Sequence, residues 1–170
     1  MNINSKMSKN EVFDQVRDWL SIHGYVIQTE DQSRPWGGFF VLDESQIQKF
    51  REQFFDSVSF SESQLQNKLS PKILLVAPEM RLSWQYHHRR AEIWKLVAGE
   101  GGIKISSTDE EGPVEPLELG KVIELSKGER HRLIGLKNWG VVAEIWMHTD
   151  PKNPSDEEDI VRVQDDFQRK

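Results

Sequence analysis

Two histidines, a glutamate and a glutamine are spaced so that they can meet at one point. Gln85 and His87 are two residues apart, and Glu92 follows five residues after His87, across a short turn. Alternate side chains of a strand share a face, so Gln85 and His87 point the same way while His88 points the other. His131 follows the turn-like segment 126–130. Two imidazoles, a carboxylate and an amide oxygen predict a mixed nitrogen and oxygen site for one divalent metal.

The composition limits which metal site and which partners are expected. The chain has 170 residues and no cysteine, which excludes disulfides, thiolate zinc sites and cysteine nucleophiles. Zinc is the first expectation for the metal, with manganese, iron, cobalt and nickel left open. The net charge of −6, without a run of Lys or Arg, argues against a nucleic-acid partner.

The sequence also argues against a membrane protein. No stretch approaches the ~20 apolar residues that a membrane-spanning helix needs, and residues 1–13 contain no apolar signal-peptide core. We therefore expect a cytoplasmic protein without a membrane partner.

The elements that must position the site are mostly strands. Helical periodicity predicts helices over residues 10–24 and 45–55, both capping or extending the β-rich part, with a loop or weak helix over 57–70. Short apolar or alternating runs predict strands at 72–77, 81–87, 93–97, 102–106, 121–125, 131–134 and 141–147. Many short strands predict an all-β sandwich or barrel. After an acidic, turn-rich segment at 151–159, residues 160–167 should dock back on the body.

The spacing of these residues resembles the two sequence motifs of the cupin family. Gln85 stands at the first histidine position of the first motif, followed at the motif's intervals by His87, Glu92 and Gly99. The second motif is matched by Gly120, Ser126, Gly128, His131 and Gly135. The resemblance implies a cupin (double-stranded β-helix or jelly-roll) barrel with extra N-terminal helices. It also supports Gln85, His87, Glu92 and His131 as the metal ligands.

A narrower resemblance is to the type II phosphomannose isomerases. It covers about residues 34–42 and 72–169, through Arg34-Pro-Trp-Gly37, the segment 82–94, His131-Arg-Leu133 and the segment 158–166. Glutamine in place of the first cupin histidine is itself typical of that family. The resemblance implies a metal-dependent isomerase of carbohydrate metabolism that interconverts mannose 6-phosphate and fructose 6-phosphate. It divides the chain into an N-terminal helical extension, 1–33, and a cupin barrel with a docking tail, 34–170, within a single domain.

The chain also departs from this family. These 170 residues include no counterpart of the guanylyltransferase domain that often precedes the family's cupin domain, and residues 43–71 are longer than the family's link. The family usually has other residues where this chain has Glu79, Arg89, Ser126, Gly135 and Trp146, and another loop at 150–155. These changes leave the metal ligands in place but put the substrate pocket in doubt.

The isomerase resemblance gives further residues candidate roles. Arg90 matches the family's arginine before Ala-Glu and is expected to be catalytic or to contact substrate. The spacing leaves three candidates open for the proton carrier: His88, Glu144 and Lys95. A sugar phosphate as the small-molecule partner needs cations, and Arg132 and Arg162 are the candidates.

Several residues have a structural interpretation instead. The turn Arg34-Pro-Trp-Gly37 is expected to be structural, with Trp36 as an anchor, and Trp94, Trp139 and Trp146 are expected in the core. Two other functions stay open: another metal-dependent cupin enzyme, such as an epimerase or dioxygenase, and a non-catalytic cupin that binds a sugar or an anion. A homodimer is also compatible with the resemblance.

Overall fold

The computed structural model describes residues 1–169 as a mostly β structure, which confirms the all-β prediction. Three helices are found in this part of the chain: α1 (Lys9–Ile22), α2 (Ile47–Phe54, preceded by a 3-10 turn at Glu44–Gln46) and α3 (Glu62–Leu65). The strands described are β1 (Ile27–Asp31), β2 (Gly37–Leu42), β3 (Lys72–Val76), β4 (Trp84–Tyr86), β5 (Arg90–Ser106), β6 (Glu115–Pro116), β7 (Val122–Leu125), β8 (Arg130–His148) and β9 (Val161–Gln164).

Two long antiparallel strands, β5 and β8, hold the sheet together. They pair from Arg90 opposite His148 to Ser106 opposite Arg130. Strand β8 also pairs with β3 near its C-terminal end and with β4 near its N-terminal end, which gives the order β1-β2-β3-β8-β4-β9. Strands β6 and β7 pair with β5.

The prediction of four short strands over residues 93–106 and 131–147 was wrong, because β5 and β8 are each continuous. Glycines were interpreted as strand ends, whereas here they lie at irregularities within the pairing, between Leu96 and Ala98 and between Gly99 and Gly101. Gly99 has φ +70°, and a Cβ there would lie 1.8 Å from the carbonyl oxygen of Trp139. Glycine thus lets the strands bend and approach closely without ending.

The predicted helices are present with small differences at their ends. Helix α1 begins after Ser8, whose hydroxyl accepts from the Glu11 backbone N–H while the Glu11 carboxylate accepts from the Ser8 N–H, a capping box. The chain then leaves the helix at Gly24, with φ +69°. Of the segment 57–70, only Glu62–Leu65 is helical.

Strands β1 and β2 were not predicted, since the first is polar and the second begins with two glycines. Their partners explain them: β1 pairs with β2, which pairs with the fully buried β3. The Arg34–Gly37 segment is a turn closed by the Gly37 N–H donating to the Arg34 carbonyl at 3.2 Å, as expected for a structural turn.

The apolar core has two parts, one on each face of the sheet. The outer core joins the helices to the sheet, with Val12, Phe13, Phe50, Ile73 and Ile145 among its residues. The inner core lies between the sheet layers, and its residues are Trp36, Leu74, Val76, Leu82, Trp94, Leu96, Ile103, Leu125, Leu133 and Val142. Consecutive residues of β3 alternate between the two parts, which explains why this strand is apolar throughout.

The tail returns to the body as expected. Strand β9 pairs with β4, with Arg162 opposite Gln85. Residues 1–169 include no helix that is long and apolar enough to cross a membrane.

Candidate metal centre

Three strands bring the predicted histidines and glutamate together. His87 follows β4, Glu92 lies near the start of β5, and His131 lies near the start of β8. Gln85 is directly opposite His131 in the pairing of β4 with β8. All three side chains of the His–Glu–His triad are buried, with relative exposures of 1–2 %.

The triad has the geometry of a metal site. One nitrogen from each histidine and a carboxylate oxygen of Glu92 all lie within 4.8 Å of one another. Nε2 of His87 is 3.1 Å from Oε1 of Glu92, and Nε2 of His131 is 3.4 Å from Oε2. Oε2 of Glu92 and Nε2 of His131 are buried without a hydrogen-bond partner among residues 1–169. Buried polar atoms are normally satisfied, so this pair fits a divalent cation placed between them.

Backbone carbonyls fix which nitrogen of each histidine faces the triad. Nδ1 of His87 lies 2.5 Å from the Asp159 carbonyl, and Nδ1 of His131 lies 2.9 Å from the Glu129 carbonyl. A carbonyl can only accept, so each Nδ1 carries the proton and each Nε2 keeps its lone pair. This is the tautomer that a histidine needs to bind a metal through Nε2.

The tail segment around Asp159 holds the first histidine in place. The Asp159 carboxylate accepts from the backbone N–H groups of His88 and Arg89, both at 2.9 Å, and from the Ser155 hydroxyl at 2.6 Å. Burial acts to raise the pKa of Asp159, but these hydrogen bonds outweigh it and lower the pKa. The carboxylate therefore anchors the carbonyl that orients His87.

Arg90 balances the charge of Glu92. Its Nε donates to Oε1 of Glu92 at 2.8 Å, and its guanidinium lies 3.8 Å from the centre of the Trp146 ring. Nη1 donates to the Ser155 hydroxyl at 2.9 Å. Burial acts to raise the pKa of Glu92, but the neighbouring groups, among them the Arg90 guanidinium, hold that pKa well below its usual range. The carboxylate is thus ionised and ready to bind a cation.

The site opens into a cavity of about 140 Å³. Glu92, Gln85 and Arg90 line this cavity, together with Glu144 of β8 and Lys72 of β3. The Ser83 hydroxyl donates to Oε1 of Gln85 at 2.5 Å, which orients the amide. Gln85 is therefore positioned at the open side of the triad.

Glu144 is a second buried carboxyl group in the cavity. Its two oxygens accept from the indole N–H groups of Trp146 and Trp94, each at 3.1 Å. Burial, and then the charge of Glu92, raise the pKa of Glu144 to about 7, against the opposing effect of Lys72 and Arg90. A carboxyl group with a pKa near neutrality can both take up and release a proton.

Of the other predicted site residues, one lines the cavity and three do not. Arg162 lines the cavity, whereas His88, Lys95 and Arg132 are absent from its lining. His88 is exposed and contacts the Tyr86 ring edge-on. Lys95 lies on the opposite strand face from Glu92 and Trp94. Arg132 is fully buried and donates to Glu111 at 2.5 Å and to the Gln164 carbonyl at 3.2 Å.

Four charged residues of the cavity were not identified from the sequence: Arg34, Lys72, Glu157 and Arg169. Lys72 could have been identified from the sequence, because it directly precedes the apolar run of β3. Strand alternation places it on the same face as Leu74 and Val76 of the inner core. Arg34 and Arg169 reach the cavity only through the turn before β2 and the folded tail. The expectation that Trp94, Trp139 and Trp146 are core residues agrees with their burial.

Antiparallel jelly-roll strands around a buried His–Glu–His triad define the protein as a cupin. A family model described as mannose-6-phosphate isomerase C-terminal matches residues 46–165, more than half of the sequence. The chain belongs to this family, which confirms the resemblance found in its motifs. The comparison with curated proteins gives no match.

Solved structures with TM-scores above 0.5 show the same fold at low identity. Oxalate oxidase bound to glycolate is 17% identical with a TM-score of 0.52, over 78% of this chain and 58% of that one. A structure of the DMSP lyases RdDddP and RnDddQII is 13% identical with a TM-score of 0.51, over 89% of this chain and 69% of that one. CapF, a capsular polysaccharide assembling protein from Staphylococcus aureus, is 14% identical with a TM-score of 0.49, over 81% of this chain and 34% of that one. The chain thus spans about a third of the length of CapF.

Proposed function

We propose that this protein is a metal-dependent aldose–ketose isomerase of a sugar phosphate, acting on mannose 6-phosphate to give fructose 6-phosphate. The observation that supports this most is one cavity lined both by Glu92, the carboxylate of the triad, and by the buried carboxyl of Glu144. Membership in the mannose-6-phosphate isomerase C-terminal family supports the choice of substrate.

The residues fit a divalent metal held by His87, Glu92 and His131, with Gln85 as fourth ligand and zinc as the first candidate. The two imidazoles and two oxygen donors, with the unpartnered Oε2 of Glu92 and Nε2 of His131, agree with that choice. When bound, such a metal acts as a Lewis acid that stabilises negative charge developing on the sugar oxygens.

Glu144 is the proton carrier in this proposal. Its carboxylate takes the proton from C2 of the open-chain aldose, the C–H electron pair forms the C1–C2 double bond, and the aldehyde oxygen takes up the charge. The protonated Glu144 then returns its proton to C1, while the proton of the C2 hydroxyl moves to the C1 oxygen and C2 becomes the ketone. The two indole N–H donors hold the carboxylate during both steps.

Arg90 has a positioning role in this scheme. Because its guanidinium is held by Glu92, Ser155 and the Trp146 ring, it fixes the carboxylate that faces the metal. His88 is exposed, and Lys95 lies on the strand face opposite Glu92. Glu144 is instead buried and lines the cavity with Glu92, which favours Glu144 among the three candidate proton carriers.

The test is a coupled assay for fructose 6-phosphate formation by the purified full chain, loaded in turn with zinc, manganese, cobalt, iron(II) or nickel. Turnover in D₂O is expected to place deuterium at C1 of the product, because a carboxyl proton exchanges with solvent. Product without any deuterium at C1 would count against a carboxyl that exchanges with solvent as the proton carrier. Folded, metal-loaded protein that is silent with every metal would contradict the isomerase and favour a binding cupin or another cupin enzyme.

A further inference from the structure

Three arginines from separate parts of the chain line the same cavity as the metal site. Arg34 precedes the turn into β2, Arg162 lies on β9, and Arg169 lies in the segment after it. Glu92 and Glu144 also line this cavity. It therefore has carboxylates from β5 and β8 together with a cluster of guanidinium groups from the chain's outer segments.

The three positive charges are close enough to affect one another. Burial lowers the pKa of Arg162, and the charges of Arg169 and Arg34 lower it further, with Asp165 opposing them. Like charges gathered beside a cavity repel one another, which costs folding free energy unless an anion binds between them. Arrangements of this kind are typical of sites that recognise phosphate.

Carboxylates hold the two outer arginines in place and leave donors available. Nε of Arg34 donates to Asp31 at 2.8 Å, and no other side-chain donor of Arg34 is engaged within residues 1–169. Nε and Nη2 of Arg169 donate to Asp165 at 2.9 and 2.8 Å, which leaves Nη1. The two side chains keep 37% and 22% of their surface exposed. Each guanidinium is thus oriented yet still able to bind an anion from solvent.

Lys72 lines the same cavity but has a different role. Its ammonium group is buried, lies 4.2 Å from the centre of the Trp146 ring and pairs with Glu157 at 2.8 Å. It balances the carboxyl of Glu144, beside which it lies in the pairing of β3 with β8. The anion site therefore consists of the arginines alone.

We infer that Arg34, Arg162 and Arg169 form the binding site for the phosphate group of the substrate. The identity of the rest of that substrate rests on the proposed isomerase function, whereas the affinity for a phosphate anion does not. The site fits one end of an extended molecule whose other end reaches Glu144 and the metal ligands through the shared cavity. It selects phosphorylated over free sugars.

The experiment measures inorganic phosphate binding to the metal-loaded full chain by titration calorimetry in a low-salt, chloride-free buffer. Arg34→Met and Arg169→Met are each expected to weaken binding at least about tenfold, since each removes charge-assisted hydrogen bonds. Arg81→Met is the matched control. Arg81 also forms a two-pronged pair, with Asp166 at 2.6 and 2.9 Å, but does not line the cavity. Its substitution should leave phosphate affinity within about twofold of wild type.

Three further variants distinguish the arginines' role from binding by the metal and from a failure to fold. In His131→Ala the phosphate affinity should persist, because the arginines and not the metal bind the anion. If a methionine variant does not fold, Arg34→Lys and Arg169→Lys keep the charge, lose the planar fork and should still weaken binding. Wild-type protein that does not bind phosphate at millimolar concentration, or arginine variants that bind like wild type, would overturn the inference.

The proposed isomerase can fail or succeed independently of this site. Phosphate binding that depends on the arginines, without sugar turnover, supports the anion site and contradicts the isomerase. Turnover of mannose 6-phosphate whose KM is unchanged in Arg34→Met and Arg169→Met supports the isomerase and overturns the anion site.

Discussion

The two faces of strands β5 and β8 show how one sheet supports two kinds of interior. On the outer face, Ile93 and Ala143 pack in an apolar core beneath the helices. On the inner face, their neighbours Glu92 and Glu144 are equally buried but are surrounded by Arg90, Lys72 and indole N–H groups. The outer face has only to fill volume, whereas each charge on the inner face needs a specific partner. Substitutions on the outer face should therefore change stability alone, and those on the inner face should change chemistry.

The largest effect is expected from removing an inner-face metal ligand. His131→Ala should lose stoichiometric zinc and at least about 10³-fold in isomerase activity, because the charge on the sugar oxygens is no longer stabilised. Metal analysis of the dialysed protein and the coupled assay measure both effects. His23→Ala, at an exposed histidine stacked on Trp19, is the control and should keep both. Full metal content in His131→Ala would show that the triad is not the metal site.

The second prediction concerns the inner carboxyl that binds no metal. Glu144→Gln keeps the shape and both indole contacts but cannot accept a proton, so kcat should fall about 10²–10⁴-fold with metal content unchanged. Glu118→Gln, at an exposed carboxylate paired with Lys121 and absent from the cavity lining, is the matched control and should keep most of the activity. Equal losses of kcat in the two variants would contradict the role of Glu144 as the proton carrier.

The same residue predicts how activity depends on pH. The groups that set its pKa are Lys72, Arg90, Glu92 and Glu157, and the pKa is raised to about 7. As the base, Glu144 acts as the carboxylate, so kcat/KM should increase as the pH rises through about 7 and level off above it. A pH–rate profile measures this increase, and Glu144→Gln should lose it. An increase centred near 4.5, the ordinary value for glutamate, would exclude Glu144 as the base.

The third prediction tests the outer face. Phe13 of α1 is fully buried against Phe40, with ring centres 5.2 Å apart. Phe13→Ala should lower the free energy of unfolding by about 3–5 kcal/mol through the cavity it leaves, as measured in urea. Below the unfolding transition, zinc content and kcat should match wild type. A changed kcat in folded protein would show that the two faces are coupled.

The smallest effect is expected where the tail supports the metal site. Asp159→Asn replaces a carboxylate that accepts three hydrogen bonds, so the carbonyl that orients His87 should be less well fixed. Zinc affinity should fall about 10–100-fold, as measured by competition with a chelator. Asp150→Asn is the control, at an exposed carboxylate that accepts from the backbone N–H of Lys152 at 2.9 Å and makes no hydrogen bond or ion pair with Asp159 within residues 1–169. Equal affinities in the two variants would leave Asp159 without a role in the metal site.

Strand alternation and the two cupin motifs were sufficient to identify the residues of the triad, but not Lys72 on the same inner face. Strand alternation places Gln85 with His87 and leaves His88 outside, and the cupin motifs add Glu92 and His131. The same alternation could have excluded Lys95, which lies between Trp94 and Leu96 and so faces away from Glu92. Arg132 could have been excluded likewise, as the neighbour of His131.

What the sequence did not predict depends on distant partners. Strands β1 and β2 form because β3 offers them an edge, and their own sequences are polar or begin with glycine. The continuity of β5 and β8 depends on bulges that the sequence shows only as glycines. Arg34 and Arg169 meet because the turn before β2 and the tail reach one cavity, and no local pattern encodes that approach.

The contact between His87 and the Asp159 carbonyl has a consequence for the order in which the site is made during synthesis. Translation produces His87, Glu92 and His131 before it reaches Asp159. A nascent chain that ends between His131 and Asp159 has all three triad ligands but lacks the acceptor that fixes the tautomer of His87. At the proposed site, binding of a metal with full affinity is therefore expected late, only after the tail has left the ribosome and folded against β4.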